Sequence, residues 1–298
     1  MNPAARSLLG PVFTVSGAAR RLGIPAATLR TWERRHGIGP SGRSPGGHRR
    51  YTPDDLARLQ AMRTLVTSGV PPAQAAALAT LPDAAGPAGP AGQRQATALP
   101  PAAALIEAAL KLDAPLLYSM LGDAFAGHGV SVSWQGLAVP ALREFDRPAP
   151  QAAGHVAAEH MLSGCLLAAL LHVITRAPPA RSARAVLLAC AAEEQHVLPV
   201  YALHAELAGR GVDVRQLGSR VPRQALAHAV RAVHPAALFV WAQTPATARP
   251  ELFDRLPPLP RIVVGGPGWA AGPPRAPVRL VGSLDGAADL LAGCASAP

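Results

Sequence analysis

From Leu81 to Pro100 the chain reads LPDAAGPAGPAGQRQATALP, and no other stretch constrains the fold as much. Alanine, glycine and proline with almost no large apolar side chain cannot bury enough surface to offset the entropy of ordering, so the segment reads as a flexible linker. The GPAGPAG within it is too short to carry the glycine-every-third repeat of collagen. A chain of 298 residues interrupted in this way is not a single domain. Three folded regions are expected, at residues 11–80, 101–177 and 183–295, with the linker at 81–100.

The charge is unevenly spread across those regions. Residues 1–80 hold eleven arginines against three acids (Glu33, Asp54 and Asp55), a net +8, while the remainder contributes only +2 of the overall +10. A basic N-terminal quarter on a near-neutral remainder is the electrostatic footprint of a nucleic-acid-binding head, although a solvated arginine-rich surface would count the same. Hydrophobic residues make up 49% of the chain, enough for buried cores, which excludes a disordered protein. The three cysteines, Cys165, Cys190 and Cys294, lie far apart without a CxxC or Cys/His pairing. That argues against a zinc module and a disulfide framework, fits a reducing compartment, and leaves them as small buried hydrophobes. The N-terminus lacks the apolar run of a signal peptide. The longest apolar stretch, Met161 to Thr175, contains His172 and reads as a core helix rather than a membrane span, so a cytoplasmic location without membrane contact is expected.

The middle region has helical periodicity. Leu105, Ala108, Ala109 and Leu112 share a face, as do Leu116, Leu117, Met120, Leu121 and Phe125, and the pattern continues through Trp134–Phe145 and Ala152–Ile174. Four helices with short breaks predict a bundle. After residue 183 the period changes. Apolar runs at Ala185–Cys190, Val212–Leu217, Ala237–Ala242, Arg261–Gly265 and Val278–Val281 alternate with helical stretches at Gln195–Leu207, Pro222–Val233, Pro250–Arg255 and Ala287–Leu291. Alternating β and α with strands apolar on both sides predicts a doubly wound parallel sheet. Ligands of such sheets bind beyond the carboxyl ends of the strands, here Ala191–His196, Gly218–Arg220, Gln243–Pro245 and Gly265–Trp269. No Ser/His/Asp constellation, Walker loop or GxGxxG accompanies these ends, so catalysis is not expected.

The first region resembles the MerR-type winged helix-turn-helix. Phe13–Ile24 has the spacing of that family's first helix and turning glycine, Pro25–Arg35 reads as its recognition helix, and Gly39–Tyr51 as its wing. Thr52-Pro53-Asp54-Asp55 opens a further helix with a hydroxyl cap, a first-turn proline and acids at the positive end of the dipole. The resemblance implies duplex DNA as partner, with Thr28 and Arg30 toward the bases, Arg35, Arg43 and Arg49 on phosphates, and the Tyr51 hydroxyl on the backbone. His48 stands open between a structural role and a phosphate contact, and Trp32 is read as packing between helix and wing. The candidate dimerisation helix after the head, Pro72 to Ala79, is short, so self-association is expected from the later regions.

A head of this type before a helical bundle and a doubly wound, flavodoxin-like sheet resembles the CarH/LitR-like cobalamin-dependent regulators over nearly the whole chain. The resemblance implies a DNA-binding repressor, dimeric or tetrameric, on inverted-repeat half-sites in a promoter. It also implies a cobalamin-type tetrapyrrole (adenosylcobalamin or a relative) sensing a ligand or light and controlling assembly. His196 stands at the family's cobalt ligand, Glu159-His160 at its pair above the corrin, and Gly265-Gly266 at its close-approach glycines. Three positions depart from the pattern. Ala149 stands for the tryptophan ten residues before Glu159, Pro199 for the glycine three after His196, and Trp241 for the small serine lining the nucleotide-tail slot. A ligand-free region serving assembly is the alternative, and a corrinoid methyltransferase component the remote one, since that would have no use for the head.

Overall fold

The computed structural model describes residues 12–44, 46–67, 72–80, 98–146, 153–254, 256–271 and 278–296. Most of the expected linker, residues 81–97, and Ala149 lie outside the described residues. Contacts divide the chain into two compact units, Met1–Asp83 and Ala84–Pro298.

In the first unit, α1 (Val15–Leu22) starts where the Thr14 hydroxyl accepts from the Gly17 amide, and it stops at Gly23, whose φ of 61° needs no Cβ. Pro25 then opens α2 (Ala26–His36), which buries Leu29 and Trp32 and ends at Gly37. A two-stranded antiparallel wing follows, β1 (Gly42–Arg43) paired with β2 (Arg49–Arg50). The helix α3 (Pro53–Thr67) begins with a reciprocal capping box: the Asp55 amide donates to the Thr52 hydroxyl and the Thr52 amide to the Asp55 carboxylate. Asp55 is fully buried, which raises its pKa, but donations from Ser41 and Thr52 outweigh burial and hold it below the ordinary value. Finally α4 (Pro72–Thr80) folds back against α3 and α2 instead of projecting as a free dimerisation helix.

The second unit opens with α5 (Ala102–Leu110) and α6 (Ala114–His128). The next helix is continuous in three pieces: α7 (Val130–Ser133), a π turn at Trp134–Ala138, and α8 (Val139–Phe145). The 24-residue α9 (Ala153–Arg176) passes a length-and-hydropathy test for a membrane span, but it packs on α5, α6 and α8 and buries Leu162, Cys165, Leu166 and Leu170. This is the four-helix arrangement that the periodicity predicts.

Five parallel strands follow: β3 (Val186–Cys190), β4 (Val214–Gln216), β5 (Ala237–Trp241), β6 (Ile262–Gly265) and β7 (Val278–Val281), in the order β4-β3-β5-β6-β7. Within the sheet this is the second-first-third-fourth-fifth order of flavodoxin-like folds. Strands β3, β5 and β6 are buried on both faces. One face packs on α10 (Leu198–Gly209) and α12 (Leu284–Ser296) through Leu188, Phe239, Val263, Leu203 and Leu291. The other packs on α11 (Arg223–Val233) through Leu187, Val240, Val264, Leu226 and Val230. The last helix is longer than its apolar pattern suggests, because its polar first turn is capped by Ser283. Bundle and sheet are joined directly: α9 packs on α10, and Gln135 in the π turn donates to Asp285 of α12, which also faces Arg210. Burial pushes the Cys165 thiol up to about 11, and burial with the Glu194 charge pushes Cys190 up to about 12, so both are neutral packing groups.

Candidate nucleic-acid interface and sheet-edge site

The first unit carries a concave surface of about 410 Å³ where the start of α1 meets α2 and the wing. It is lined by Thr14, Val15 and Ser16 from the start of α1, Ala26 and Arg30 of α2, and Gly47, His48, Arg49 and Arg50 of the wing. No acid is in that lining. A helix N-terminus and four basic side chains around one groove are suited to a phosphate backbone. Of the expected contacts, Arg30, His48 and Arg49 share this groove, while Thr28, Arg35 and Arg43 lie outside its lining. Sequence reasoning passed over Thr14, Ser16 and Arg50. The run His48-Arg49-Arg50 and the hydroxyls opening α1 were the signals that could have found them.

Two arginines are already engaged. Arg43 Nη2 donates to Glu33 Oε1 at 2.9 Å and Arg49 Nε to Glu33 Oε2 at 2.5 Å. Tyr51 requires a correction. It is 0% exposed, in the core of the head, and its hydroxyl is buried with no partner among the described residues, so in this conformation it is not a surface donor. Burial, then the Glu33 charge, raise its pKa. Its neighbours explain the position: β-bridge bonds between Phe13 and Tyr51 pull the residue under the wing.

At the sheet's carboxyl edge, the loop after β3 is organised by Glu194, 1% exposed. Its carboxylate accepts from the His196 amide at 2.8 Å, His196 Nδ1 at 2.6 Å, the Gln243 amide at 2.7 Å and the Thr247 hydroxyl at 2.7 Å. Burial pushes this carboxyl up, and those bonds outweigh it and hold the pKa below the ordinary value. Two residues in left-handed backbone flank it: Glu193 (φ 66°) and Arg220 (φ 49°) form an ion pair at 2.5 Å, and the Arg220 amide donates to the Glu194 carbonyl. Since an ionised carboxylate only accepts, Nδ1 of His196 carries a proton, and in the neutral ring Nε2 is then the nitrogen with a free lone pair. The His196 side chain is 60% exposed. This is how a protein orients a metal-ligating imidazole. Among the described residues no three His, Cys, Asp or Glu side chains cluster to hold a metal.

The remaining expected positions fit less well. Glu159 and His160 stand on α9, with His160 Nδ1 on the Val156 carbonyl at 2.9 Å and its side chain 74% exposed. Pro199 occupies the first turn of α10, where proline is compatible with a helix start. At Gly265 and Gly266 the lack of a side chain already answers to internal packing. A Cβ on Gly265 would stand 2.8 Å from Phe239 Cζ, and Gly266, at φ 106°, would drive one into the Ala242 carbonyl. The indole of Trp241, register partner of Cys190 and Gly265, packs against the core between the sheet and α10 and α12, with its N–H buried and without a partner among the described residues. The site thus fits an imidazole-bound metal in a ring, and it does not fit a nucleotide tail inserted beside β5.

A winged helix-turn-helix head, a helical bundle and a flavodoxin-like sheet with a polar carboxyl edge together define a modular transcription regulator. Residues 13–80 match the model of the MerR HTH family regulatory proteins. The HTH-type transcriptional repressor CarH of Myxococcus xanthus is 30% identical over 267 residues, covering 87% of this chain and 88% of that protein. The repressor CarA of the same organism is 31% identical over 259 residues, 84% and 85% of the two chains. The chain belongs to this CarH/CarA family of MerR-type transcriptional repressors. Among solved structures, HiNmlR, a MerR family regulator lacking the sensor domain and bound to promoter DNA, matches 23% of this chain and 52% of its own at 33% identity, with a TM-score of 0.22. The Methanosarcina barkeri monomethylamine corrinoid protein matches 64% of this chain and 96% of its own at 14% identity, with a TM-score of 0.46.

Proposed function

We propose that this regulator represses a promoter in the cytoplasm by binding inverted-repeat half-sites as a dimer or tetramer, with its assembly set by a metallotetrapyrrole of the cobalamin type held at the sheet's carboxyl edge. The observation that carries the ligand reading is the Glu194–His196 pair: a buried carboxylate fixes one ring nitrogen and leaves Nε2 exposed for a metal. Bound there, the corrin supplies the group whose state responds to light or to a second ligand. The chain's own residues do the rest. Glu194 orients the imidazole, the Glu193–Arg220 pair holds the loop, and Glu159 and His160 on α9 offer polar groups from the bundle. In the head, Thr28, Arg30, Arg35, Arg43, His48 and Arg49 meet the DNA, Arg30 from the recognition helix and Arg49 from the wing.

Trp241 favours a second reading, in which the sheet is a ligand-free assembly module, because the indole fills the space beside β5. One experiment separates the two. Purified protein mixed with adenosylcobalamin and desalted is expected to keep the visible absorbance of the corrin, and His196→Ala to lose it. A colourless wild type beside a coloured Trp241→Ser variant would overturn the first reading in favour of the second.

A further inference from the structure

Glu33 is the only acidic residue among the first 53 of the chain, and it stands in its most basic neighbourhood. Each of its carboxylate oxygens is taken by a guanidinium from a different wing strand, Arg43 of β1 and Arg49 of β2. Those two arginines are cross-strand register partners, so without an anion between them like charges would face each other across the hairpin. The carboxylate itself is firmly placed. Its side chain is 21% exposed, and Gly39 packs so closely that a Cβ there would lie 2.7 Å from Glu33 Cγ. The arginines are looser, 54% and 32% exposed, and Arg49 also lines the basic groove with Arg30, His48 and Arg50. Asp55 is engaged in the α3 cap, which leaves Glu33 as the acid that meets the wing.

We propose that Glu33 is an internal stand-in for phosphate: it holds Arg43 and Arg49 in the free protein and gives them up when the wing meets a DNA backbone. Carboxylate and phosphate both accept guanidinium donors in pairs, so the exchange needs small side-chain movements and no change of fold. Glu33 is thus a positioning residue. It keeps the wing folded without DNA, and its negative charge lowers the attraction to any duplex, so the groove engages only where further contacts compensate. The proposal rests on DNA binding by the head and predicts how that binding depends on salt.

The test uses the full-length protein and a short random-sequence duplex, with affinity read by fluorescence anisotropy across a salt series. Glu33→Gln is expected to bind more tightly than wild type, with a plot of log affinity against log salt steeper by about one. A tenfold drop in salt then strengthens the variant about eightfold more than wild type. Glu33→Asp keeps the charge and is expected to keep the wild-type slope. In an Arg43→Gln/Arg49→Gln background, Glu33→Gln is expected to change the slope no further. Parallel plots for wild type and Glu33→Gln, or weaker binding by the variant at unchanged slope, would show Glu33 to be wing scaffold alone and overturn the proposal. Wild type that binds no duplex at low salt would overturn the DNA-binding reading as well. A second measurement needs no variant and so survives any folding defect. The Arg49 Nε–H resonance, set by the carboxylate in the free protein, is expected to move on titration with duplex, and an unmoved resonance on a bound protein refutes the exchange.

Discussion

Glu194 illustrates how a single residue acquires its role. Its position two residues before His196 is legible in the sequence, but two of its hydrogen bonds come from Gln243 and Thr247, 49 and 53 residues further on. No local pattern announces such partners. Glu194→Ala would strand the Gln243 and His196 amides and leave the Thr247 hydroxyl only its Thr244 partners, and it is expected to destabilise the second unit by about 3 kcal/mol, measured by urea unfolding at neutral pH. The pH dependence has a definite sign. Because the folded pKa lies below the ordinary 4.5, this carboxylate's contribution is fully present above 4.5 and is lost as pH falls through the lower folded value. Wild type is therefore expected to lose thermal stability steeply in that acid window, and Glu194→Gln to lose less there. Equal slopes in the two proteins would show that other groups control acid lability. Tyr51 makes the opposite point: its placement in the wing motif suggested a surface role, and only the Phe13 bridge reveals that it is buried.

Among the elements, those with local signals were the most legible. Thr52-Pro53-Asp54-Asp55 marks the start of α3, and the apolar runs mark β3, β5 and β6. The Ser41 donation to Asp55, from 14 residues away, was not legible, since a turn and a helix cap meet only after the wing has folded. The glycine pair after β6 has a packing reason that no local pattern shows. It closes the gap to the end of β5, where the chain's own backbone and rings leave no room for a Cβ. Gly266→Ala is expected to destabilise by about 1–3 kcal/mol, through a positive φ and a backbone clash. Gly293→Ala, exposed in α12 with nothing near its added carbon, is expected to stabilise by up to about 1 kcal/mol. Urea titrations of the two variants check the contrast, and a Gly266→Ala protein as stable as wild type would show that the loop can shift away.

At the scale of the molecule, α4 folds back on α2 and α3, so among the described residues no helix projects from the head through which it could pair. A fragment of residues 1–83, which spans the first contact unit, is expected to sediment as a monomer with weak affinity for DNA, and the full chain as a larger assembly. A tight dimer of the fragment would place self-association in the head instead. Local chemistry in the sequence sufficed for the fold class, a winged helix-turn-helix followed by helices and a doubly wound sheet, because composition, helical spacing, caps and two-sided apolar strands act within a few residues of one another. The tertiary structure alone decided which groups meet: Glu33 between Arg43 and Arg49, Glu194 beneath His196, Tyr51 under the wing, and Trp241 against the sheet core. Each of those outcomes depends on burial and hydrogen bonding between segments far apart in the chain, and such partners are selected by packing, which no period in the sequence records.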